Sequence, residues 1–383
     1  MNQTNFNGKA GELRLNALKI PTFYPYEIPD SLSFSNQFVS LLTSAEARLS
    51  ELSGAGKLLG TGGMLPNPML LVSPHIQQEA IASSRIEGTK ISLPEVLRYE
   101  SSVKPQKNEN AESEIASFVD AIDYGIVYLK QNNLSLSMIK EMHKRMMANK
   151  PRTGELRKEQ NFIGASVRIE DARFIPPAPE FVEPLMQDFE KYLNSNHNLP
   201  PIIQAGLIHY QFEAIHPFED GNGRIGRSLI LLYMLKKEIL SQPLLSLSPF
   251  FEKYEPEYKE RLFLVSQDGA YEKWLEFFLT GVSIQAKAAL DRTLQLLALR
   301  NQYVETLRTK SSSSIAYRLV DLLFRYPYFT IPLAQERLKV HYQTAQRATN
   351  LLLAEGILED INLARKRNKI FVAKDIMKII DQV

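Results

Sequence analysis

The chain of 383 residues has no cysteine, which excludes disulfides, thiolate metal sites and thiol nucleophiles. No apolar run approaches the ~18 residues that a membrane-spanning helix needs. The opening MNQTNFNGKAGELRLNALKI also lacks the uninterrupted apolar core of a signal peptide. We therefore expect a cytoplasmic protein with no membrane partner. A large excess of one sign of charge is lacking too, and a net charge of +2 selects no class of partner. The P-loop is missing as well. The glycine-rich stretch Gly54 to Gly63 contains Gly56-Lys57, but Leu58 follows and Glu51 stands where the first glycine is required, so a linker is expected there. What is present, 44% hydrophobic and 23% charged residues, suits a globular chain of two or three domains. Its small charge excess is local: Ser311 to Val383 holds 11 Lys and Arg against 7 Asp and Glu.

The stretch that carries chemistry is His216-Pro217-Phe218-Glu219-Asp220-Gly221-Asn222-Gly223-Arg224-Ile225-Gly226-Arg227. Upstream, Leu207, Ile208, Phe212 and Ile215 recur at helical spacing, and Pro217 disfavours the α region for His216, which puts His216 at a helix end. Gly221 and Gly223 can take positive φ, letting successive N–H groups converge into an anion-binding nest. A second helix, roughly Arg224 to Lys237, starts immediately and points its positive end into the same space. Arg224 and Arg227 oppose that dipole, which makes physical sense when a polyanion such as a phosphate chain lies between them and the N–H groups. Asp220 offers the hard oxygen that Mg2+ prefers. His216 can take a proton from a hydroxyl near neutral pH.

Every specified position of this stretch matches the signature His-Pro-Phe-x-Asp-Gly-Asn-Gly-Arg-x-x-Arg, so the chain resembles Fic domain proteins. That resemblance implies a mainly α fold, a Fic helical bundle with a β-hairpin flap. It also implies transfer of AMP from ATP to the Ser, Thr or Tyr hydroxyl of a target protein. On it His216 is the catalytic base and Asp220 holds Mg2+. Gly221, Asn222, Gly223 and Arg224, with Ile225 and Gly226 in the same turn, bind the inner phosphates, and Arg227 binds the outermost. Phe218 would plug the loop into the core. Tyr258 is carried over to the nucleotide pocket, although Glu257-Tyr258 stands where relatives often have paired tyrosines. Upstream, Ser83-x-x-x-Glu87-Gly88 resembles the family's inhibitory motif, so Glu87 would pair with Arg227 and occupy the outermost phosphate position. Taken on its own, Gly88 marks a helix C-terminus with Ser83 and Glu87 on one face of its last turn. The resemblance covers about Ser83 to Val282.

Along the chain, residues 1–30 should be extended and packed on the surface. Helices are expected at Leu32 to Leu52, from Pro68 to the Gly88 end, Ala111 to Gln131, Ser137 to Met147 and Pro179 to Leu193. A loop is expected at Pro105 to Asn110. Two short apolar runs at Asn161 to Gly164 and Ala172 to Ile175, around a polar tip, suggest a hairpin. In the Fic family this is the flap, whose edge near Ile163 and Phe174 holds a target segment by strand addition. His209 reads as a buried, hydrogen-bonded histidine. Beyond the signature, a helical region is expected at Pro249-Phe250-Phe251 and Tyr254 to Val265, and helices at Tyr271 to Leu279 and, separately, Ser283 to Leu307. The last part, helices Ile315 to Phe324, Ile331 to Leu338 and Tyr342 to Glu355 with strands Ile357 to Ile361 and Lys369 to Ala373, reads as a winged helix. Its basic tip, Arg365 to Lys369, and Gln343, Gln346, Arg347 and Asn350 suit a DNA groove, while the same fold also serves protein contacts. Domains are placed at 1–105, 106–282, 283–310 as a connecting helix, and 311–383. Two other readings stand beside transfer: a phosphodiesterase that uses Glu87 to remove AMP, and a nucleotide-sensing DNA-binding regulator. Self-modification and a homodimer are left open.

Overall fold

The computed structural model describes the chain apart from residues 1–5, 18, 62–68, 102–109, 149, 151, 165–167, 310–312, 362–368 and 382–383. The expected loop at Pro105 to Asn110 and the basic tip thus lie largely outside the described residues. At the centre stand α7 (Pro201–Ile215) and α8 (Asn222–Lys236), which pack on each other and are buried on nearly every side. A helix that is apolar all round must be surrounded by others. Their neighbours are α2 (Met69–Ile86), α4 (Ala111–Leu129), α5 (Leu136–Met146) and α6 (Pro179–Asn194). The antiparallel strands β1 (Gly11–Leu15) and β2 (Pro21–Pro25) form a hairpin at the start of the chain. Phe23 of that hairpin is fully buried, donates its N–H to the Ile175 carbonyl at 2.8 Å and meets Phe174 at a ring distance of 5.5 Å.

Three expectations about elements are corrected. The glycine-rich segment is helical through Thr61 in α1 (Asn36–Thr61). Its glycine serves packing: a Cβ on Gly56 would lie 2.6 Å from the Ser241 hydroxyl, and that hydroxyl bonds the Ser53 carbonyl at 2.6 Å. The two helices expected on either side of residue 282 are one, α11 (Tyr271–Arg308), 38 residues long. Thr280, Gly281 and Val282 look like a boundary, but Gly281 faces the Phe250 ring so closely that a Cβ would meet it at 2.5 Å. The expected flap hairpin reduces to one antiparallel bridge, Ile163 to Phe174, with a short 3-10 turn at Ile169–Asp171. Two short helices were not anticipated, α3 (Leu93–Glu100) and α15 (Lys374–Ile380).

Past α9 (Ser248–Lys253), α10 (Glu255–Asp268) and α11, the chain forms α12 (Ser314–Leu323), β3 (Tyr328–Phe329), α13 (Ile331–Leu338), α14 (Tyr342–Ala354), β4 (Glu359–Asp360) and β5 (Phe371–Val372). The three strands pair antiparallel in the order β3, β5, β4. Gln343, Gln346, Arg347 and Asn350 lie exposed on α14. This part rests on the rest of the chain through a Thr330 hydroxyl bond to the Ser101 carbonyl at 3.2 Å and Arg98 stacked over Tyr328. Among the described residues no helix is long and apolar enough to cross a membrane.

Candidate active site

His216 caps α7 in the left-handed region, φ 50° and ψ 63°, donating its N–H to Phe212. Pro217 bars the right-handed helical region for this residue, and a non-glycine residue held left-handed costs on the order of 1 kcal/mol or more. The restraint comes from Arg157, which is 3% exposed. Its side chain donates to the carbonyls of His216 at 2.8 Å, Ile215 at 3.4 Å and Pro177, and its own N–H bonds the Pro217 carbonyl. Burial pulls the Arg157 guanidinium down to about 10, and burial together with Arg157 lowers the His216 imidazole to about 4. His216 is therefore neutral at pH 7, the form that accepts a proton.

The loop between the helices is braced from inside. Phe218, fully buried, stacks on His143 at 3.9 Å. The Asn222 amide clamps Phe218, accepting from its N–H at 2.8 Å and donating to its carbonyl at 2.9 Å. His143 accepts from the Gly154 N–H at Nδ1 and so presents Nε2–H to the Asp220 carbonyl at 3.0 Å. Gly221 takes φ 79° as the cap of α8, whose leading N–H groups have no acceptor within the helix. The Asp220 carboxylate is half-exposed and pairs with Lys150 at 2.6 Å. Desolvation opposes its ionisation, but Lys150 and Arg224 prevail and lower its pKa.

The two arginines part company. Arg224 is buried, ion-paired with Glu114 of α4 and in contact with the Met147 sulfur at 3.4 Å. Arg227, also buried, donates Nε to the Ser83 hydroxyl at 2.7 Å, and a terminal nitrogen to the Ser83 carbonyl at 2.9 Å and to Glu87 at 2.7 Å. Glu87 reaches it because α2 ends just before it, with Gly88 at φ 94°. It also needs Gly223, where a Cβ would lie 2.2 Å from the Glu87 oxygen. Burial works against the Glu87 charge, yet Arg227, Arg224 and His216 outweigh it and lower its pKa.

A cavity of about 830 Å³ opens beside this pair, and Glu87, His216, Gly223, Arg227 and Tyr258 all line it. The flap bridge, through Ile163 and Phe174, and Leu262 and Phe263 of α10 form its apolar wall. Asp220, Gly221, Asn222 and Arg224 do not line it. Ile225 is in the core with its N–H bonded to Gly221, and Gly226 lies against Glu213 and Phe212, so the structure gives both a packing role. Tyr258 is 3% exposed and its hydroxyl contacts His209 Nε2 at 2.7 Å. Sequence reasoning missed Arg157, His143, Glu114 and Glu213. They reach the site from outside the signature, or sit just before it, and no spacing rule singles them out.

A buried arginine, a neutral histidine and the entry of a helix thus border one cavity. Residues 133–234 match the Fic/DOC family and residues 39–127 match the Fic/DOC family N-terminal region. Over these segments the chain is similar to the Fic/DOC family. It is 31% identical over 160 residues to the protein adenylyltransferase fic-1 of Caenorhabditis elegans, covering 39% of this chain and 30% of that protein. With the protein adenylyltransferase Fic of Drosophila virilis it shares 34% over 167 residues, 42% of this chain and 33% of that protein. The matched part thus spans about a third of the length of these relatives. A Fic family protein from Desulfovibrio desulfuricans G20 has the same fold, with a TM-score of 0.57 at 18% identity over 91% of this chain and 98% of that one.

Proposed function

We propose that the protein transfers AMP from ATP to a hydroxyl side chain of a target protein, with Glu87 holding the activity in check. The observation that carries this reading is the Glu87–Arg227 pair beside His216 in one cavity. A triphosphate laid along the α8 entry would put its outer phosphate where the Glu87 carboxylate now sits. Arg227 then exchanges one anion for another, and a guanidinium suits both. The target oxygen attacks the α-phosphorus, its proton passes to His216, and the bond to pyrophosphate breaks with the electron pair on the leaving group. Arg157 keeps the His216 backbone in the required turn. The apolar wall of Phe174, Leu262 and Phe263 suits a nucleobase, and the half-exposed Ile163 edge suits strand addition by a target segment.

Asp220 would hold Mg2+. The donor set fits an ion that arrives with its nucleotide: a single ionised carboxylate at the loop, and no group of three or more His, Asp or Glu among the described residues that could hold a metal. Bound there, Mg2+ would neutralise phosphate charge.

The deciding experiment incubates the full chain, Glu87→Gly and Glu87→Gly/His216→Ala with α-labelled or γ-labelled ATP and Mg2+. Transfer of AMP delivers the α label to protein and none from the γ position, and it requires His216. Label arriving from the γ position would refute the reading. Removal of AMP by the same residues is the second reading, favoured by the seated Glu87 carboxylate. It predicts release of AMP from a prelabelled protein by the parent and none by Glu87→Gly.

A further inference from the structure

One turn before His216 lies a carboxyl that the chemistry above leaves unused. Glu213 lines the cavity, and its Oε1 is sealed from solvent without a hydrogen-bond partner. His216 Nδ1 is sealed and without a partner too, and the two residues approach at 3.8 Å, Nδ1 to Oε2. Buried polar atoms are nearly always paired, so an unpartnered Oε1 turned towards Gly226 and an Oε2 set beside an unpartnered Nδ1 need a reason. Catalytic hydrogen bonds are often long in the free protein and tighten in the working complex.

We infer that Glu213 is a positioning residue for His216, its carboxylate fixing the imidazole proton on Nδ1 and leaving Nε2 to accept the hydroxyl proton. The inference rests on the reading of His216 as the base. An ionised Glu213 can only accept, which requires Nδ1–H. A protonated Glu213 can donate to Nδ1, which moves the imidazole proton to Nε2 and disables the base. The charge on Glu213 therefore chooses the tautomer.

Its surroundings govern that charge. Burial raises the Glu213 pKa to about 8, Arg227 pulls it down and Glu87 pushes it up. His209, kept neutral by burial down to about 3, and Tyr258, whose hydroxyl burial holds protonated, add no charge. Gly226 lets Glu213 approach, since a Cβ there would lie 2.5 Å from Oε1. Asp220 and Arg157 act on His216 in opposite directions, and the Glu213 backbone carbonyl, which can only accept, also favours a proton on the imidazole. The inhibitory carboxylate thus acts twice: it fills the phosphate position and, through Glu213, keeps the histidine in the wrong tautomer.

The test uses the full chain with 15N-labelled histidine, as parent, Glu87→Gly and Glu87→Gly/Glu213→Gln, with His216 assigned by its loss in His216→Ala. Two-bond proton–nitrogen spectra report which ring nitrogen carries the proton. In Glu87→Gly we expect His216 to change from Nε2–H to Nδ1–H as pH rises, with a midpoint below the parent's, and we expect no change in the Gln variant. A single tautomer throughout, or a change that survives Glu213→Gln, overturns the inference. Transfer from α-labelled ATP supplies a second readout. The Gln variant should lose about a hundredfold in rate, within the range of general-base effects, along with the pH dependence. Glu213→Asp, which keeps the charge, should recover part of both. Unchanged rates and pH profile in Gln also overturn it. If Glu87→Gly transfers no label, the adenylyltransferase reading falls, while the spectra still decide the role of Glu213.

Discussion

Replacing Glu87 in graded steps separates charge from shape. In the parent its carboxylate makes one charge-assisted bond of 2.7 Å to Arg227. Such bonds contribute roughly 1.5 to 3 kcal/mol. Because the Glu87 side chain is 36% exposed, solvent screening favours the low end of that range. Glu87→Gln keeps an oxygen in place without the charge, loses about 1 kcal/mol of the contact and should raise transfer about fivefold. Glu87→Gly empties the position. If a phosphate displaced by about 1 Å costs a hundredfold, the gain should lie between about tenfold and a hundredfold. The assay is initial-rate transfer of α-labelled AMP to protein at fixed ATP, with the Tm of each variant measured beside it. Arg227 retains its two bonds to Ser83, so the Gly variant should lose only about 1 to 2 kcal/mol of stability. Equal rates for parent and Gly would refute autoinhibition, and equal rates for Gln and Gly would refute the electrostatic account. The pH sign follows from the lowered pKa: the contact is intact above the ordinary carboxylate range and is lost only as pH falls through the depressed value. Mild acidification should therefore not mimic the substitution.

Arg157→Gln should cost about 2 to 4 kcal/mol by denaturant unfolding, because buried carbonyls lose their donor. It should also raise the His216 pKa, since Arg157 depresses it; an NMR titration showing no rise would contradict this. Phe218→Ala should cost about 3 to 5 kcal/mol, the range for a buried aromatic, read from the same unfolding curves. Lys150→Met removes a half-exposed cation from Asp220 and should lower the Mg2+ concentration needed for half-maximal transfer by up to about fivefold, the equivalent of a surface pair of up to 1 kcal/mol.

Much of the centre was legible because local rules and tertiary demands coincide there. The apolar periodicity before His216, Pro217 and the Asp-Gly-Asn-Gly turn each specify the α7–loop–α8 turn that the structure has. The single helix α11 was less legible, since Thr280 and Gly281 weaken helix propensity and the Phe250 contact that explains the glycine lies far off in sequence. α3 carried a signal that was overlooked: Ser92 and Glu95 form a capping pair, with the Ser92 N–H donating to the Glu95 carboxylate at 2.8 Å. In the site, Glu87 and Arg227 were reachable through the motif. The division of labour between the arginines was not, because it depends on Glu114 lying on a helix whose packing no spacing reveals. The Asn222 amide likewise looks like a ligand donor in sequence and is spent on the loop.

The helix that delivers Glu87 is fastened by polar teeth. Gln78 accepts from Arg292 at 2.6 Å, His75 meets Thr293 at 3.2 Å, Gln77 donates to Glu100 at 2.7 Å, and Glu79 receives the Ser248 N–H at 3.0 Å. All four lie between His75 and Glu79, and their partners stand on three different helices, α11, α3 and α9. A rod tied to three neighbours resists rotation, because a small turn would strand several buried groups together. On the proposed reading, the Glu87 carboxylate is therefore carried at the end of a fixed post, and what moves it must be its own side chain rather than its helix.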